Sequence, residues 1–276
     1  MPKWPPEIPI SDSDNVRRLP VLRIALMGYR LAGKSSTGNT ILGQKLFSVK
    51  ETTVLCEKRH GVVAGRQVTV VDTPGWWWTQ PVQFTSGRVK QEIVVSASIC
   101  PPGPHTHILV VRGDDSFTED YRAVVQQHLE LLGETVWSKT IVLFTRGDCL
   151  GDTPIEQHIQ SKGRALQWLL EKCGNRYHVF NNKNRGDVTQ VTELLEKIEE
   201  MVMENSEARE HFQTGEEDLG FLKNSGQVGR RGSMDRSIYF RQGPNRSSLR
   251  SQISRWIHSG KRRLRTGSLG SGLWDY

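Results

Sequence analysis

Residues 28–36 read Gly-Tyr-Arg-Leu-Ala-Gly-Lys-Ser-Ser, a complete phosphate-binding loop of the form G-x-x-x-x-G-K-S. An apolar run, Val21 to Met27, precedes it and reads as a buried strand, and Lys34 to Leu42 follows in a helix-like pattern. Strand, loop and helix in that order are the context the motif requires. Backbone N–H groups from Gly28, Tyr29, Arg30, Leu31, Ala32 and Gly33 would cradle phosphates at a helix N-terminus, where the dipole favours negative charge. Lys34 would reach the β- and γ-phosphates, Ser35 would ligate Mg²⁺, and Ser36 completes the loop.

A second motif, Asp72-Thr73-Pro74-Gly75, ends the β-branched run Gln67-Val68-Thr69-Val70-Val71. A run of that composition closed by Pro-Gly reads as a central strand. An acid at its carboxyl end can hold Mg²⁺ opposite Ser35, and Gly75 is placed to turn its N–H toward a γ-phosphate. A third motif concerns the base. The apolar run Thr140 to Phe144 leads into Thr145-Arg146-Gly147-Asp148. The Asp148 carboxylate can accept both the N1–H and the 2-amino hydrogens of guanine, and a site built on such bonds rejects a base lacking them. The usual guanine motif is Asn-Lys-x-Asp; here Thr145 stands for Asn and Arg146 for Lys. A last strand, Tyr177 to Phe180, runs into Asn181-Asn182, where a base-contacting loop belongs.

Strands are expected near 21–27, 67–72, 107–112, 139–145 and 176–181. Helices are expected over 34–43, 88–98, 118–132, 155–173 and 187–204. In the third, Tyr121, Val124, Val125, Leu129 and Leu132 recur three and four apart, as do Val191, Leu194, Leu195, Ile198 and Val202 in the last. Strand alternating with helix predicts an α/β fold: a three-layer nucleotide-binding domain with a mostly parallel central sheet and its ligand at the carboxyl ends of the strands.

With these motifs in this order, the chain resembles the immune-associated nucleotide-binding GTPases (GIMAP proteins) over roughly residues 20–205. The specific part is the extra segment Pro102-Gly103-Pro104-His105-Thr106-His107-Ile108-Leu109-Val110, followed by Phe117-Thr118-Glu119-Asp120. Phe144 to Asp148 and Cys173 to Asn182 look like that family too. The resemblance implies a GTP-binding domain related to septins and chloroplast import GTPases, with GTP or GDP and Mg²⁺ as ligands. It implies homodimerisation or oligomerisation through the nucleotide-binding face. Carried over, the family's Mg²⁺-sensing switch threonine falls on Thr53, with Thr52 as a rival.

Departures from the family pattern stand out. Relatives usually have a small or polar residue at position 30 and Gly or Ala at 31; here these are Arg30 and Leu31. A leucine does not take a positive φ cheaply, so an ordinary backbone conformation is expected at Leu31. Arg30 can bend back to the phosphates or point to solvent as most arginines do, the reading favoured here. Some relatives place an arginine just before the aromatic-Thr-acid run; here that place is Ser116, with Arg112 four residues earlier. No glutamine follows Asp72-Thr73-Pro74-Gly75 to orient an attacking water. Trp76, Trp77 and Trp78 stand there instead, either buried against a helix or partly exposed as a partner anchor.

Charged residues at 24% and hydrophobic ones at 36% fit a globular domain. Cys56, Cys100, Cys149 and Cys173 have no metal spacing and read as thiols of a reducing compartment. The N-terminal extension, 1–19, lacks a signal peptide's apolar core, and no apolar run is long enough to span a membrane. These features point to a cytoplasmic protein. Residues 221–276 hold twelve Lys and Arg against two acids. The extension 206–276 therefore reads as a largely disordered basic tail. Within 247–265, Leu249, Ile253, Trp256, Ile257 and Leu264 would share one helix face, with Arg250, Arg255, Lys261, Arg262 and Arg265 off it. That reads as a helix for an anionic membrane surface or a calmodulin-type partner, or else as a solvated tail. Nucleic acid is the less favoured partner, since no nucleic-acid fold accompanies the charge.

The functional expectation is a guanine-nucleotide switch with slow Mg²⁺-dependent hydrolysis, in which Lys34, Thr53 and Gly75 act on the γ-phosphate. The runner-up is a membrane-associated GTP-binding scaffold with negligible turnover. A third reading treats the nucleotide as purely structural.

Overall fold

The computed structural model describes residues 18–224, with side chains as far as residue 208. The segment 1–17 and the expected tail helix 247–265 lie outside the described residues. Six strands form one sheet in the order β2-β3-β1-β4-β5-β6. They are β1 Val21–Met27, β2 Glu57–Val63, β3 Arg66–Asp72, β4 Thr106–Arg112, β5 Thr140–Thr145 and β6 Tyr177–Val179. All neighbours run parallel except β2, which pairs antiparallel with β3. Helices α1 Lys34–Ile41, α2 Gly87–Ser96, α3 Glu119–Leu129, α4 Ile155–Ser161, α5 Arg164–Lys172 and α6 Thr189–Asn224 connect or follow the strands.

Strands β1, β4 and β5 are near-continuous apolar runs because helices cover both faces of a parallel sheet. Leu22, Ile24, Leu26, Ile108, Leu109, Val110, Ile141, Val142 and Leu143 are fully buried. The helices bury the stripes that their periodicity predicts: Tyr121, Val124, Val125 and Leu129 from α3, and Val191, Leu194, Leu195 and Ile198 from α6. Thr118 starts α3 by accepting the Tyr121 N–H on its hydroxyl.

Three elements differ from the sequence expectation. Strand β2 has no counterpart among the expected strands, because on this sheet edge only Val62 and Val63 are apolar. The stretch 155–173 holds two helices rather than one, broken at Gly163, whose φ of 84° a helix interior does not allow. Helix α6 runs on to Asn224 rather than stopping near 204, through a polar stretch that the strong helix former Glu fills at 207, 210, 216 and 217. Its inner end is tied to the hairpin β2–β3 by a buried two-bond ion pair: Arg66 Nε and Nη2 each donate to Glu199 at 2.8 Å.

In this order, β3 lies on one side of β1 and β4 on the other. The crevice between their carboxyl ends is where ligands bind in such sheets. The loops after β1, β3 and β5 all open there. No helix among the described residues is long and apolar enough to cross a membrane.

Candidate functional site

The phosphate loop leaves β1 at Gly28, whose φ is 142° and where a Cβ would lie 2.5 Å from the Val110 carbonyl oxygen. Only glycine fits that approach to β4. The loop then departs from expectation at Leu31, whose φ is 66°. Its side chain clears the crowded backbone by pointing outward, 85% exposed. The neighbouring bonds hold the turn: Ala32 N–H donates to the Tyr29 carbonyl at 3.3 Å, and Arg30 N–H to the Trp76 carbonyl at 2.7 Å. Such strain survives where its surroundings over-determine it. Gly33 enters α1 in the left-handed region, and no side chain caps the helix. The first N–H groups of α1 therefore face the crevice free for an anion.

Lys34 is buried and donates from Nζ to the Tyr29 carbonyl at 3.0 Å. Burial pulls its pKa down to about 8, against the pull of Asp72. Ser35, Thr53 and Asp72 converge beside it. The Ser35 hydroxyl donates to Asp72 Oδ2 at 2.6 Å and the Thr53 hydroxyl to the same oxygen at 2.9 Å. Thr52 instead accepts from Arg30 Nη2 at 3.2 Å. Asp72 is buried, which pushes its pKa up, and its Oδ1 has no hydrogen-bond partner. A carboxylate with a free buried oxygen and two adjacent hydroxyls is an all-oxygen donor set that fits a hard cation such as Mg²⁺. Gly75 closes this end: a Cβ there would sit 2.7 Å from both Lys34 Nζ and Arg30 N.

Two adjoining hollows share Leu31, Gly33 and Ser36. One, about 190 Å³, holds Lys34, Ser35, Thr52, Thr53 and Gly75. The other, about 180 Å³, holds Thr145, Arg146, Asp148, Asn182 and Lys183. A larger hollow of about 550 Å³ lies at the β6 edge, where Glu156, Glu193, Glu200 and Glu204 outnumber Arg176 and Lys197 and none of the sequence motifs contributes its phosphate-binding residues. Carboxylates disfavour an anion there.

At the second hollow, the Thr145 hydroxyl donates to the Ala32 carbonyl at 2.8 Å, tying β5 to the phosphate loop. Arg146 adopts φ 62° and pairs with Asp114 at 3.0 Å. Asp148 receives the ammonium of Lys183, which holds its carboxyl below the usual range. The Asn181 side chain accepts the Lys183 and Asn184 N–H groups and so fastens its own turn. Asn182 accepts from the Thr40 hydroxyl at 2.8 Å and donates to Thr37 at 3.3 Å, bracing α1. Both asparagine side chains are thus engaged within the protein. So is Tyr29: its ring is buried against Tyr121 and its hydroxyl donates to Asp115, leaving its backbone to the loop.

The profile of the AIG1 family matches residues 22–219. The chain belongs to the AIG1 family. Mouse (Mus musculus) GTPase IMAP family member 8 is 34% identical over 208 residues, covering 73% of this chain and 30% of that protein. Immune-associated nucleotide-binding protein 5 of Arabidopsis thaliana is 32% identical over 209 residues, covering 72% of this chain and 66% of that protein. The chain spans 27–30% of the length of the rodent and human IMAP family member 8 proteins it matches. Among solved structures, Toc33 from Arabidopsis thaliana in complex with Mg²⁺ and GMPPNP aligns with a TM-score of 0.54 at 14% identity. The alignment covers 70% of this chain and 88% of that one. A second structure, from work on dimerisation in the GTPase activity of atToc33 and psToc159, gives 0.53 at 14% identity, over 69% and 86%. The fold is that of P-loop GTPase G domains.

Within this AIG1-family domain, the three tryptophans after Gly75 divide. Trp76 is buried at 1% exposure and stacks on His128 of α3, ring centres 4.7 Å apart. His128 donates from Nδ1 to the Val124 carbonyl at 2.7 Å, and its Nε2 pairs with the Thr85 hydroxyl at 2.8 Å. Trp77 and Trp78 stay about half exposed. Arg30 does not point to solvent as expected: its guanidinium lies over the Trp77 ring and reaches Thr52, since both offer it partners at the rim. Arg112 pairs with Asp114 at 2.7 Å and Asp115 at 3.4 Å of its own chain. The motifs read from sequence do not include Lys183 or His128. Lys183 directly follows the Asn181-Asn182 pair, and that adjacency was the signal available for it.

Proposed function

We propose that this domain is a guanine-nucleotide switch that binds GTP and GDP with Mg²⁺, hydrolyses GTP slowly, and self-associates through its nucleotide face when GTP-bound. The observation that carries this reading is the convergence of Ser35, Thr53 and Asp72 beside buried Lys34, at the mouth of an uncapped helix. One relative and one protein of similar fold support it: the mouse protein is named a GTPase, and dimerisation is described as important for the GTPase activity of atToc33 and psToc159.

Ser35, Thr53 and Asp72 would hold the Mg²⁺, which when bound neutralises charge on the phosphate oxygens. Lys34 and the free N–H groups of the loop and α1 hold the phosphates and spread their charge. Thr53 and Gly75, on the loops before β2 and after β3, respond to whether a γ-phosphate is present. Asp148 orients a guanine. No described residue at the phosphate end is a general base for water: Trp76 turns inward where a water-orienting side chain would be needed. Slow hydrolysis follows, with positioning and charge stabilisation as its only aids.

The inward Trp76 also favours a second reading, a GTP-bound scaffold with negligible turnover that the basic tail attaches to an anionic membrane. The test is GTP hydrolysis per molecule across protein concentrations, with Lys34→Ala as control. Turnover that rises with concentration supports the switch. Tight GTP binding with flat, negligible turnover supports the scaffold.

A further inference from the structure

Thr145 occupies the place of an asparagine whose amide could donate to a base. Its one hydroxyl hydrogen is committed to the Ala32 carbonyl at 2.8 Å. The hollow beside it therefore lacks a neutral donor on that side. Arg146 pairs with Asp114, and Asn182 is turned to α1, its carbonyl oxygen accepting from Thr40 and one amide hydrogen going to Thr37. The most exposed cation lining the hollow is Lys183, whose side chain is 73% exposed against 44% for Arg146, and which sits on Asp148, itself 23% exposed. An ion pair with so exposed a partner is weak and opens at little cost.

We propose that Lys183 is a second base-reading residue. It rests on the Asp148 carboxylate and, as a guanine enters, moves its ammonium to the 6-carbonyl oxygen of the base. Asp148, released, takes the N1–H and 2-amino hydrogens. This rests on the guanine-nucleotide reading given above and adds the residue that reads the other edge. The two charges match guanine in opposite senses: Asp148 needs donors and Lys183 needs an acceptor. Adenine offers the reverse at both positions, an amino group toward Lys183 and an unprotonated N1 toward Asp148. Each mismatch leaves a charged group unsatisfied, which is the costly outcome for a polar pair. The internal pair also keeps Asp148 ionised and satisfied before the base arrives.

The test is equilibrium binding of GDP, inosine diphosphate, 6-thio-GDP and ADP, with Mg²⁺, to the full chain and to Lys183→Met and Asp148→Asn. Inosine diphosphate lacks the 2-amino group but keeps the 6-oxygen; 6-thio-GDP keeps the 2-amino group and carries a poor acceptor at position 6. Lys183→Met is expected to weaken GDP binding about tenfold, the size of one hydrogen bond to a charged group. It should erase the preference for GDP over 6-thio-GDP and leave the GDP-to-inosine-diphosphate ratio unchanged. GDP binding equal to or tighter than that of the natural chain would overturn the proposal, Lys183 then being only a competitor for Asp148. A GDP-to-inosine-diphosphate ratio that ignores Asp148→Asn would instead overturn the base-site reading itself.

Discussion

The guanidinium of Arg30 lies 4.4 Å from the centre of the Trp77 ring while its Nη2 donates to Thr52. One side chain on the phosphate loop thus touches the segment before β2 and the segment after β3. A cation over a half-exposed indole is worth about 0.5–1 kcal/mol. In a double-mutant cycle of Arg30→Ala and Trp77→Ala, measured by urea unfolding, the coupling should fall in that range. Strict additivity would show that the contact carries no energy.

Trp76 differs from its neighbours by being sealed against His128. Trp76→Ala should cost about 3–5 kcal/mol, as removal of a fully buried aromatic does, whereas Trp78→Ala should stay within about 1 kcal/mol. Urea midpoints of the two variants compare them directly. Equal losses would contradict the division of the three tryptophans.

The buried pair Arg66–Glu199 joins the hairpin β2–β3 to α6. Glu199→Ala strands a buried guanidinium and should cost about 3–5 kcal/mol. Replacing both partners with Met should recover most of that, because the paired charges had themselves lost their hydration. A double variant no more stable than Glu199→Ala would contradict this.

His107 is buried on β4, and burial pulls its pKa down from 6.5 to about 4. Its folded form resists protonation while the unfolded chain accepts it. The stability it contributes is present above pH 6.5 and is lost as pH falls toward 4, by about 3 kcal/mol in all. His107→Gln should flatten the fall in unfolding free energy over that range. An unchanged slope would mean that other groups carry it.

The parts of this structure that periodicity and motif spacing govern were legible in the sequence. Strands β1, β4 and β5 are apolar because both faces are covered, β3 shows its β-branched run, and close approach demands glycine at Gly28 in the phosphate loop and at Gly75 in the turn after β3. Strand β2 left no such trace, being a polar edge held by its partner β3. Leu31 breaks the local rule for its residue type, because the bonds of its neighbours hold its backbone: Arg30 N–H to the Trp76 carbonyl outside the loop and Ala32 N–H to the Tyr29 carbonyl within it. The Arg30–Trp77 and Lys183–Asp148 contacts join residues 47 and 35 apart in sequence, a relation only folding creates. The choice between Thr52 and Thr53 likewise depended on which hydroxyl the folded chain turns toward Asp72.

The central claim is that the crevice built by Lys34, Ser35, Asp72 and Asp148 binds guanine nucleotide with Mg²⁺. The most direct measurement is titration of the purified chain with GDP and with ADP, each with Mg²⁺ and with chelator, alongside Asp148→Asn. The account predicts GDP binding tighter than ADP binding by a factor of about 100 or more, weakened on chelation, and a preference that collapses in Asp148→Asn. Equal affinity for GDP and ADP, or a preference indifferent to Asp148, would contradict it.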